Sequence, residues 1–139
     1  MLQVGQTTMI HPYVYIGLPR SKEPVDCMAI ICDKLGLEEE LVRSRKRTSE
    51  LVHARFFYFF LCYNYYRIGV ARIGNSFKLD HSTVIHGIKK HLDYCEVDSD
   101  YKQQFISVCR SINHEYAANI ERRLKEVREH YDNLKRKDL

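Results

Sequence analysis

The sequence predicts an all-α protein whose centre is a helix-turn-helix. Apolar residues recur at helical spacing from Val25 onward, as in helices that each bury one face. Two short segments with this pattern flank a tight turn at Lys78 and Leu79, the arrangement of a helix-turn-helix. After Val97 the chain contains no Gly or Pro, so no residue there is a strong helix breaker. A length of 139 residues with 45% hydrophobic residues suits one hydrophobic core.

Composition excludes several classes of protein. No stretch approaches the ~20 apolar residues of a membrane span, and Met1 to Ile10 lack the basic and apolar regions of a secretory signal. We therefore expect a cytoplasmic protein. The cysteines are odd in number and form no CxxC pair, which favours reduced core thiols over disulfides or a zinc site. They are Cys27, Cys32, Cys62, Cys95 and Cys109.

Changes in composition divide the chain into three parts. Residues 1–23 contain two of the three prolines and predict an extended N-terminal arm, with a short strand around Tyr13 to Ile16. Residues 24–97 carry the helix-turn-helix domain. Residues 98–139 predict a long C-terminal helix, capped by Ser99 or Asp100 and unbroken to about Lys137.

Two helices at the start of the domain have local signals of their own. The first is predicted from Val25 to Leu35, and Gly36 fits the residue at which such a helix stops. The second is short and opens with three glutamates, Glu38 to Glu40, because acidic side chains favour the positive end of the helix dipole. It is expected to end near Ser44.

The third helix is the predicted centre of the core. Thr48 or Ser49 can cap it, and it is expected to run to about Tyr65. Apolar side chains lie nearly all round it, which is typical of a helix surrounded by other elements.

The helix-turn-helix follows from Val70. Its first helix is predicted over Val70–Phe77, and Asp80 is a good N-cap for a second helix from His81 to about Cys95. On a helical wheel, the second helix turns apolar residues inward: Val84, Ile85, Ile88, Leu92 and Cys95. Its outward side carries Thr83, His86 and Lys90. Such groups can pair with base edges and phosphates, although an ordinary solvated face is the alternative.

Gly87 lies inside this second helix. A glycine there costs about 1 kcal/mol of helix stability relative to alanine. We therefore expect that it permits close approach to a surface, either DNA or the neighbouring helix.

A dense cationic segment precedes the third helix. Within five residues it holds Arg43, Arg45, Lys46 and Arg47. Long flexible cations on a loop can enter a minor groove or pair with phosphates, whereas many runs of charge are merely solvated. Its place in the same compact unit as the helix-turn-helix favours nucleic acid.

At these residues the sequence resembles the C-terminal DNA-binding domain of the bacterial replication initiator DnaA. The signature consists of Ile73-Gly74-x-x-Phe77, then Asp80-His81-Ser82-Thr83-Val84-Ile85-His86 and Lys89-Lys90. The segment Ser44-Arg45-Lys46-Arg47-Thr48, followed by Arg55, resembles the basic segment and core helix of that family. The resemblance covers roughly Pro24 to Cys95.

The resemblance implies an all-helical domain that binds a short asymmetric DNA element, the DnaA box. It implies major-groove contacts from four residues, Asp80, His81, Ser82 and Thr83. It implies a minor-groove role for Arg47 and phosphate contacts from Arg55, Lys90 and the backbone at Val70 and Ala71. The complete predicted DNA-binding set is Arg45, Lys46, Arg47, Arg55, Val70, Ala71, Asp80, His81, Ser82, Thr83, His86 and Lys90.

Several positions depart from the family pattern. Leu79 stands where the family has an arginine, in a turn that is shorter than usual, and Ala54 and Phe56 replace a proline and a glutamine. The preferred DNA sequence therefore need not be a standard DnaA box. His81 points toward the core on the wheel, but its place in the first turn favours DNA contact over packing.

The C-terminal segment carries an apolar seam close to the coiled-coil period. Its members are Ile112, Tyr116, Ile120, Leu124, Val127, Tyr131 and Leu134. We favour a homodimer through this helix, which would present two helix-turn-helix units to one duplex. A helix folded back over the chain's own core is the alternative.

No catalytic, metal or cofactor site is predicted. The sequence has no GxxxxGK[ST] loop and no nucleophile, base and acid at a telling spacing. His91 and Cys95 share a helix face, but two ligands do not make a zinc site. The sequence thus predicts a non-enzymatic, sequence-specific binder of double-stranded DNA, regulatory or accessory in replication or transcription. The alternative is a protein–protein interaction module that works through the C-terminal helix.

Overall fold

A computed structural model describes the backbone of residues 24–138 and the side chains of residues 27–132. The described residues form eight helices and no strand, which confirms the all-α prediction. The helices are α1 (Pro24–Leu35), α2 (Glu39–Val42), α3 (Ser49–Asn64), α4 (Val70–Phe77), α5 (His81–Val97), α6 (Ser99–Ile112), α7 (His114–Ala118) and α8 (Ile120–Asp138). The predicted N-terminal arm lies outside the described residues.

Local signals set the helix boundaries at the start of the domain. Gly36 follows α1 with a φ of 69°, the left-handed conformation that glycine adopts without strain. The hydroxyl of Thr48 accepts a hydrogen bond from the backbone N–H of Leu51, which caps α3 as predicted.

Helix α3 is the central core helix. Phe57, Phe60 and Leu61 are fully buried, and α3 packs against α1, α2, α4 and α5. The ring of Phe60 also meets Phe105 of α6 edge-on, with ring centroids 5.6 Å apart. The all-round apolar surface of α3 is therefore buried by its neighbours, as predicted.

Gly87 marks the place where α5 crosses α3. A Cβ built at Gly87 would lie 2.8 Å from the ring of Phe59 and 3.3 Å from that of Phe56. The close approach expected at this glycine is therefore to the neighbouring helix.

The single C-terminal helix predicted from Ser99 or Asp100 to about Lys137 is wrong. The segment forms three helices, because two asparagines interrupt it. Asn113 is extended (φ −164°), and its side-chain oxygen accepts from the N–H of Tyr116, 2.9 Å away, to start α7. Asn119 separates α7 from α8 and donates through its side chain to the carbonyl of Glu115. Asparagine side chains compete in this way with the backbone bonds of a helix.

The apolar seam of this segment is buried within the same chain. Ile112, Tyr116, Ile120, Leu124 and Val127 all belong to the common core, each at most 8% exposed. The side chain of Leu134 lies outside the described residues. The seam therefore folds back over the chain's own body, which was the alternative to a homodimer, and a second copy is not needed to cover it.

The structure also tests the predicted burial of Ile85 and of the cysteines. Ile85, expected to face the core, is 38% exposed and is corrected to a surface position. The five cysteines are free and buried, as predicted. In the part of the chain that the structure describes, each helix is too short or too polar to cross a bilayer.

Candidate nucleic-acid interface

The turn of the helix-turn-helix is closed by two backbone hydrogen bonds. The N–H of Leu79 donates to the carbonyl of Gly74, 2.8 Å away, and the N–H of Lys78 donates to that of Asn75, 3.1 Å away. This is the Schellman pattern, in which the residue after the helix adopts a left-handed conformation. Lys78 holds that place with a φ of 57°, where glycine is usual. A Cβ at Gly74 would lie 2.6 Å from the carbonyl oxygen of Leu79, so the turn fits tightly against α4.

The turn delivers Asp80 to the start of α5. Asp80 occupies the N-cap position, but its carboxylate accepts from the hydroxyl of Ser82 and makes no capping bond to the helix backbone. That hydroxyl, together with His81 beside it, lowers the pKa of Asp80. The His81 side chain is 58% exposed, with its Nδ1 3.4 Å from the Asp80 carboxylate. The coreward direction of His81 on the wheel is therefore corrected, since the side chain lies at the surface.

A groove of about 600 Å³ lies between the loop at residues 43–47, α3 and the first half of α5. Six residues of the predicted DNA-binding set line it: Arg45, Arg47, Arg55, Thr83, His86 and Lys90. Two segments that are separated by more than 30 residues in sequence are thus brought to opposite sides of one groove.

The charge of this groove, which we call the cationic groove, has one sign. Its lining residues, all within the described part of the chain, include six cations and no carboxylate. The cations are Arg43, Arg45, Arg47, Arg55, Lys78 and Lys90. The pKa of Arg55 is lowered by burial and, secondarily, by the like charge of Arg47. An anion in the groove would relieve this repulsion.

The floor of the cationic groove is apolar. It is formed by Phe56, Phe59, Phe77, Leu79 and Tyr94, of which Phe59 is almost fully buried and the others are half-buried. Phe56 and Leu79, two of the departures from the family pattern, therefore contribute apolar surface to the groove. Contacts between these rings join α3 to α4 and to α5.

Arg55 has a structural task that the sequence did not reveal. Its Nε donates to the carbonyl of Val42 (2.6 Å), and its Nη2 donates to the carbonyls of Leu41 (3.3 Å) and Ser44 (2.8 Å). The guanidinium thereby binds the carbonyls at the end of α2 and fixes the start of the basic loop. The predicted phosphate contact of Arg55 stays a prediction, and the structure adds this positioning role.

Arg43 is a second residue whose role was missed. It pairs with Glu39 at 2.9 Å, and its guanidinium lies over the ring of Phe77, 4.9 Å from the centroid. It therefore ties the basic loop to α4. The sequence identified Arg43 as part of the cationic segment, but no residue near it in sequence indicated that Phe77 would be its partner.

The remaining predicted residues do not line the groove. Lys46, Ala71, Asp80, His81 and Ser82 are exposed, and Val70 is half-buried at the start of α4. Their predicted contacts with DNA stay predictions. Lys78 lines the groove but was not in the predicted set; its place in the turn directly before Asp80 was the available signal.

His91 and Cys95 belong to the core and not to this interface. His91 is fully buried, with its Nδ1 2.6 Å from the Tyr101 hydroxyl and its Nε2 3.6 Å from the Cys95 sulfur. Burial, with a smaller effect of His53, lowers the pKa of His91 to about 3, so the imidazole is neutral. No group of three or more potential ligands that could hold a metal occurs among the described residues.

Comparison with known proteins matches the part of the chain that contains the basic loop and the helix-turn-helix. Residues 25–90 match the family model of the bacterial dnaA protein helix-turn-helix. The resemblance to the C-terminal domain of DnaA is thereby confirmed for this segment.

Full-length relatives show the same relationship. The chain is 28% identical over 99 residues, 68% of its length, to the chromosomal replication initiator protein DnaA of Thermodesulfovibrio yellowstonii. It is 39% identical over 87 residues, 60% of its length, to DnaA of Oleidesulfovibrio alaskensis. The matches span only 23% and 19% of those two proteins. The DnaA likeness therefore concerns the helix-turn-helix part of the relatives.

Proposed function

We propose that this protein binds double-stranded DNA in a sequence-specific way at DnaA-box-like sites. One observation carries this function above the others: the cationic groove joins six cations, without a carboxylate, to the start of an exposed helix-turn-helix helix. DNA offers a closely spaced row of phosphates to such a surface, and the neutralisation of phosphates supplies most of the non-specific affinity.

The geometry suggests how a duplex would lie. The first turn of α5, with Asp80, Ser82 and Thr83, would enter the major groove, where base pairs present distinct patterns of donors and acceptors. Arg45 and Arg47 would reach the adjacent minor groove. The strand between the two grooves would then follow the cationic groove, with its phosphates near Lys90 and His86. Phosphate contacts would fix the register, and the start of α5 would select bases.

The two departures at Phe56 and Leu79 would alter the preferred sequence. Neither side chain can donate a hydrogen bond to a base or phosphate. Both line the groove as apolar surface, which suits the C5-methyl of thymine or a deoxyribose better than a polar edge. We therefore expect the preferred site to share part, and not all, of a DnaA box.

The biological role we propose is regulatory or accessory, in replication or transcription. In either process this chain would act by binding DNA, which is the activity that its cationic groove supports. It would work in the compartment that holds the DNA, which for a bacterial chromosome is the cytoplasm.

Selection from a pool of random duplexes with purified protein tests this function directly. We expect one enriched motif and an affinity that falls with salt at a log–log slope of about −0.9 for each neutralised phosphate. Arg47→Ala should lower affinity for all duplexes and reduce that slope by about one. Thr83→Ala should instead cost ~1–3 kcal/mol at one base position and relax the preference there. Recovery of no motif, together with indifference to both substitutions, would refute DNA recognition.

The homodimer and the interaction-module alternative are separate proposals. Both depend on a free face of the C-terminal segment, yet its seam from Ile112 to Val127 is buried in the chain's own core. Sedimentation of the full chain tests self-association: a mass of twice the monomer would support the dimer, and the monomer mass would refute it.

A further inference from the structure

An arginine of the C-terminal helix α8 forms an ion pair with α5, the second helix of the helix-turn-helix. The Nη2 atom of Arg128 lies 2.7 Å from a carboxylate oxygen of Asp93 and 3.9 Å from one of Glu96. Arg128 lies beyond residues 25–90, the segment that matches the DnaA family model. The side chain of Arg128 is 22% exposed and that of Asp93 is 44% exposed, so the pair sits at the edge of the packed surface.

Asp93 lies close to two lysines of the same helix. It follows Lys89 by four residues and Lys90 by three, and side chains at these spacings face each other on one side of a helix. Lys90 lines the cationic groove. Both lysines are exposed, and neither forms an ion pair within the described part of the chain.

An unpaired Asp93 would act against DNA binding in two ways. Its carboxylate would attract the ammonium groups of Lys89 and Lys90 and hold them away from phosphates. Its negative charge would also repel the phosphates, because it would lie within about one Debye length of them. In the structure the carboxylate is bound by Arg128 instead.

We propose that Arg128 is a positioning residue for DNA binding: by neutralising Asp93 from α8, it leaves Lys89 and Lys90 free to bind phosphates. The C-terminal segment thereby contributes to DNA affinity without touching the duplex. Because this role presupposes the proposed DNA binding, the wild-type protein is measured first, on the same duplexes.

The decisive experiment compares Arg128→Ala, Asp93→Asn and the double variant, all in the full chain. The probes are a short duplex from the random selection and a scrambled duplex of the same composition. We expect Arg128→Ala to weaken binding to both by about three- to tenfold, the effect of one uncompensated surface charge one helical turn from a phosphate-binding ammonium. Asp93→Asn should bind at least as tightly as wild type, and the double variant should regain that affinity.

A matched control removes the same charge from α8 without reaching α5. Arg122 is 54% exposed and pairs with Glu126 on its own helix. Arg122→Ala should therefore leave DNA affinity nearly unchanged. An equal loss with Arg122→Ala would mean that only net charge matters and would overturn the role of Arg128.

Salt and stability separate this mechanism from a purely structural one. The loss caused by Arg128→Ala should shrink as salt rises from about 50 to 200 mM, since the charges involved are near the surface. The inference would be refuted if the double variant bound as weakly as Arg128→Ala. It would also be refuted if the loss of DNA affinity tracked the thermal stability of the variants and did not change with salt concentration. Failure of the wild-type protein to bind any duplex would instead refute the proposed function itself.

Discussion

Gly74 offers the sharpest test of how the helix-turn-helix is built. Replacing it with alanine adds a Cβ that would lie 2.6 Å from the carbonyl oxygen of Leu79. Real Cβ atoms essentially never approach another atom within 3.0 Å, and this neighbour is backbone and cannot swing aside. The turn that carries Asp80 must therefore move away from α4.

The expected cost is the difference between two effects. Forced repacking of a tight contact costs about 1–3 kcal/mol, whereas alanine in a helix is about 1 kcal/mol better than glycine. We therefore expect Gly74→Ala to lower the free energy of unfolding by up to about 2 kcal/mol. Because the displaced turn also sets the direction of Asp80 and the start of α5, DNA affinity should fall too.

Urea unfolding followed by circular dichroism measures this change. Gly69→Ala is the matched control, since a Cβ at Gly69 meets nothing within 4 Å. Its effect should be confined to the preference of a helix N-cap for glycine over alanine, roughly 0.5–1 kcal/mol, with no displacement of the turn. If Gly74→Ala were about 1 kcal/mol more stable than wild type, as expected for an unobstructed alanine in a helix, the close approach of the turn to α4 would be disproved.

Three further changes probe the site and the core. Arg55→Lys should lower the free energy of unfolding by about 2–3 kcal/mol and should also lower duplex affinity. The reason is that lysine cannot bind all three carbonyls that position the basic loop. Wild-type values of both quantities would contradict that positioning role. Lys78→Gly should raise the free energy of unfolding by about 1 kcal/mol, since glycine tolerates a φ of 57°. It should also weaken duplex binding, because a cation is lost from the groove. A lower stability in thermal unfolding would disprove backbone strain at Lys78. The free energy of unfolding should also fall as the pH is lowered from about 6.5 to about 3. His91 is held neutral with a pKa of about 3, so the unfolded chain binds a proton that the folded one does not, at about 1.4 kcal/mol per pH unit. His91→Phe should flatten this profile in urea titrations at several pH values, and an unchanged slope would assign the acid sensitivity to other groups.

The sequence predicted much of the local structure because the signals for it act over a few residues. Gly36, Thr48 and the turn before Asp80 each set a boundary through bonds to residues at most five positions away. Where two local signals compete, the prediction was wrong. Asn113 and Asn119 lie in a strong apolar repeat, but their side chains bind the backbone and end the helices there.

The candidate site was predicted in outline and not in its internal contacts. Arg45, Arg47, Thr83, His86 and Lys90 were selected from charge, helical phase and family resemblance, and the structure brings all five to one groove. Arg55 was selected as a phosphate contact, whereas its guanidinium binds carbonyls at the end of α2. That role depends on where α2 ends relative to α3, which no spacing along the sequence records.

The sequence alone thus determined the number of helices up to Val97, the cationic loop and the polar character of the start of α5. Only the tertiary structure decided which surface each helix leaves exposed. It buried the C-terminal seam against the chain's own core, exposed Ile85 and brought Arg128 to Asp93 across 35 residues. Helical periodicity is a property of neighbours three or four residues apart, whereas burial and ion pairing between helices depend on how whole elements pack.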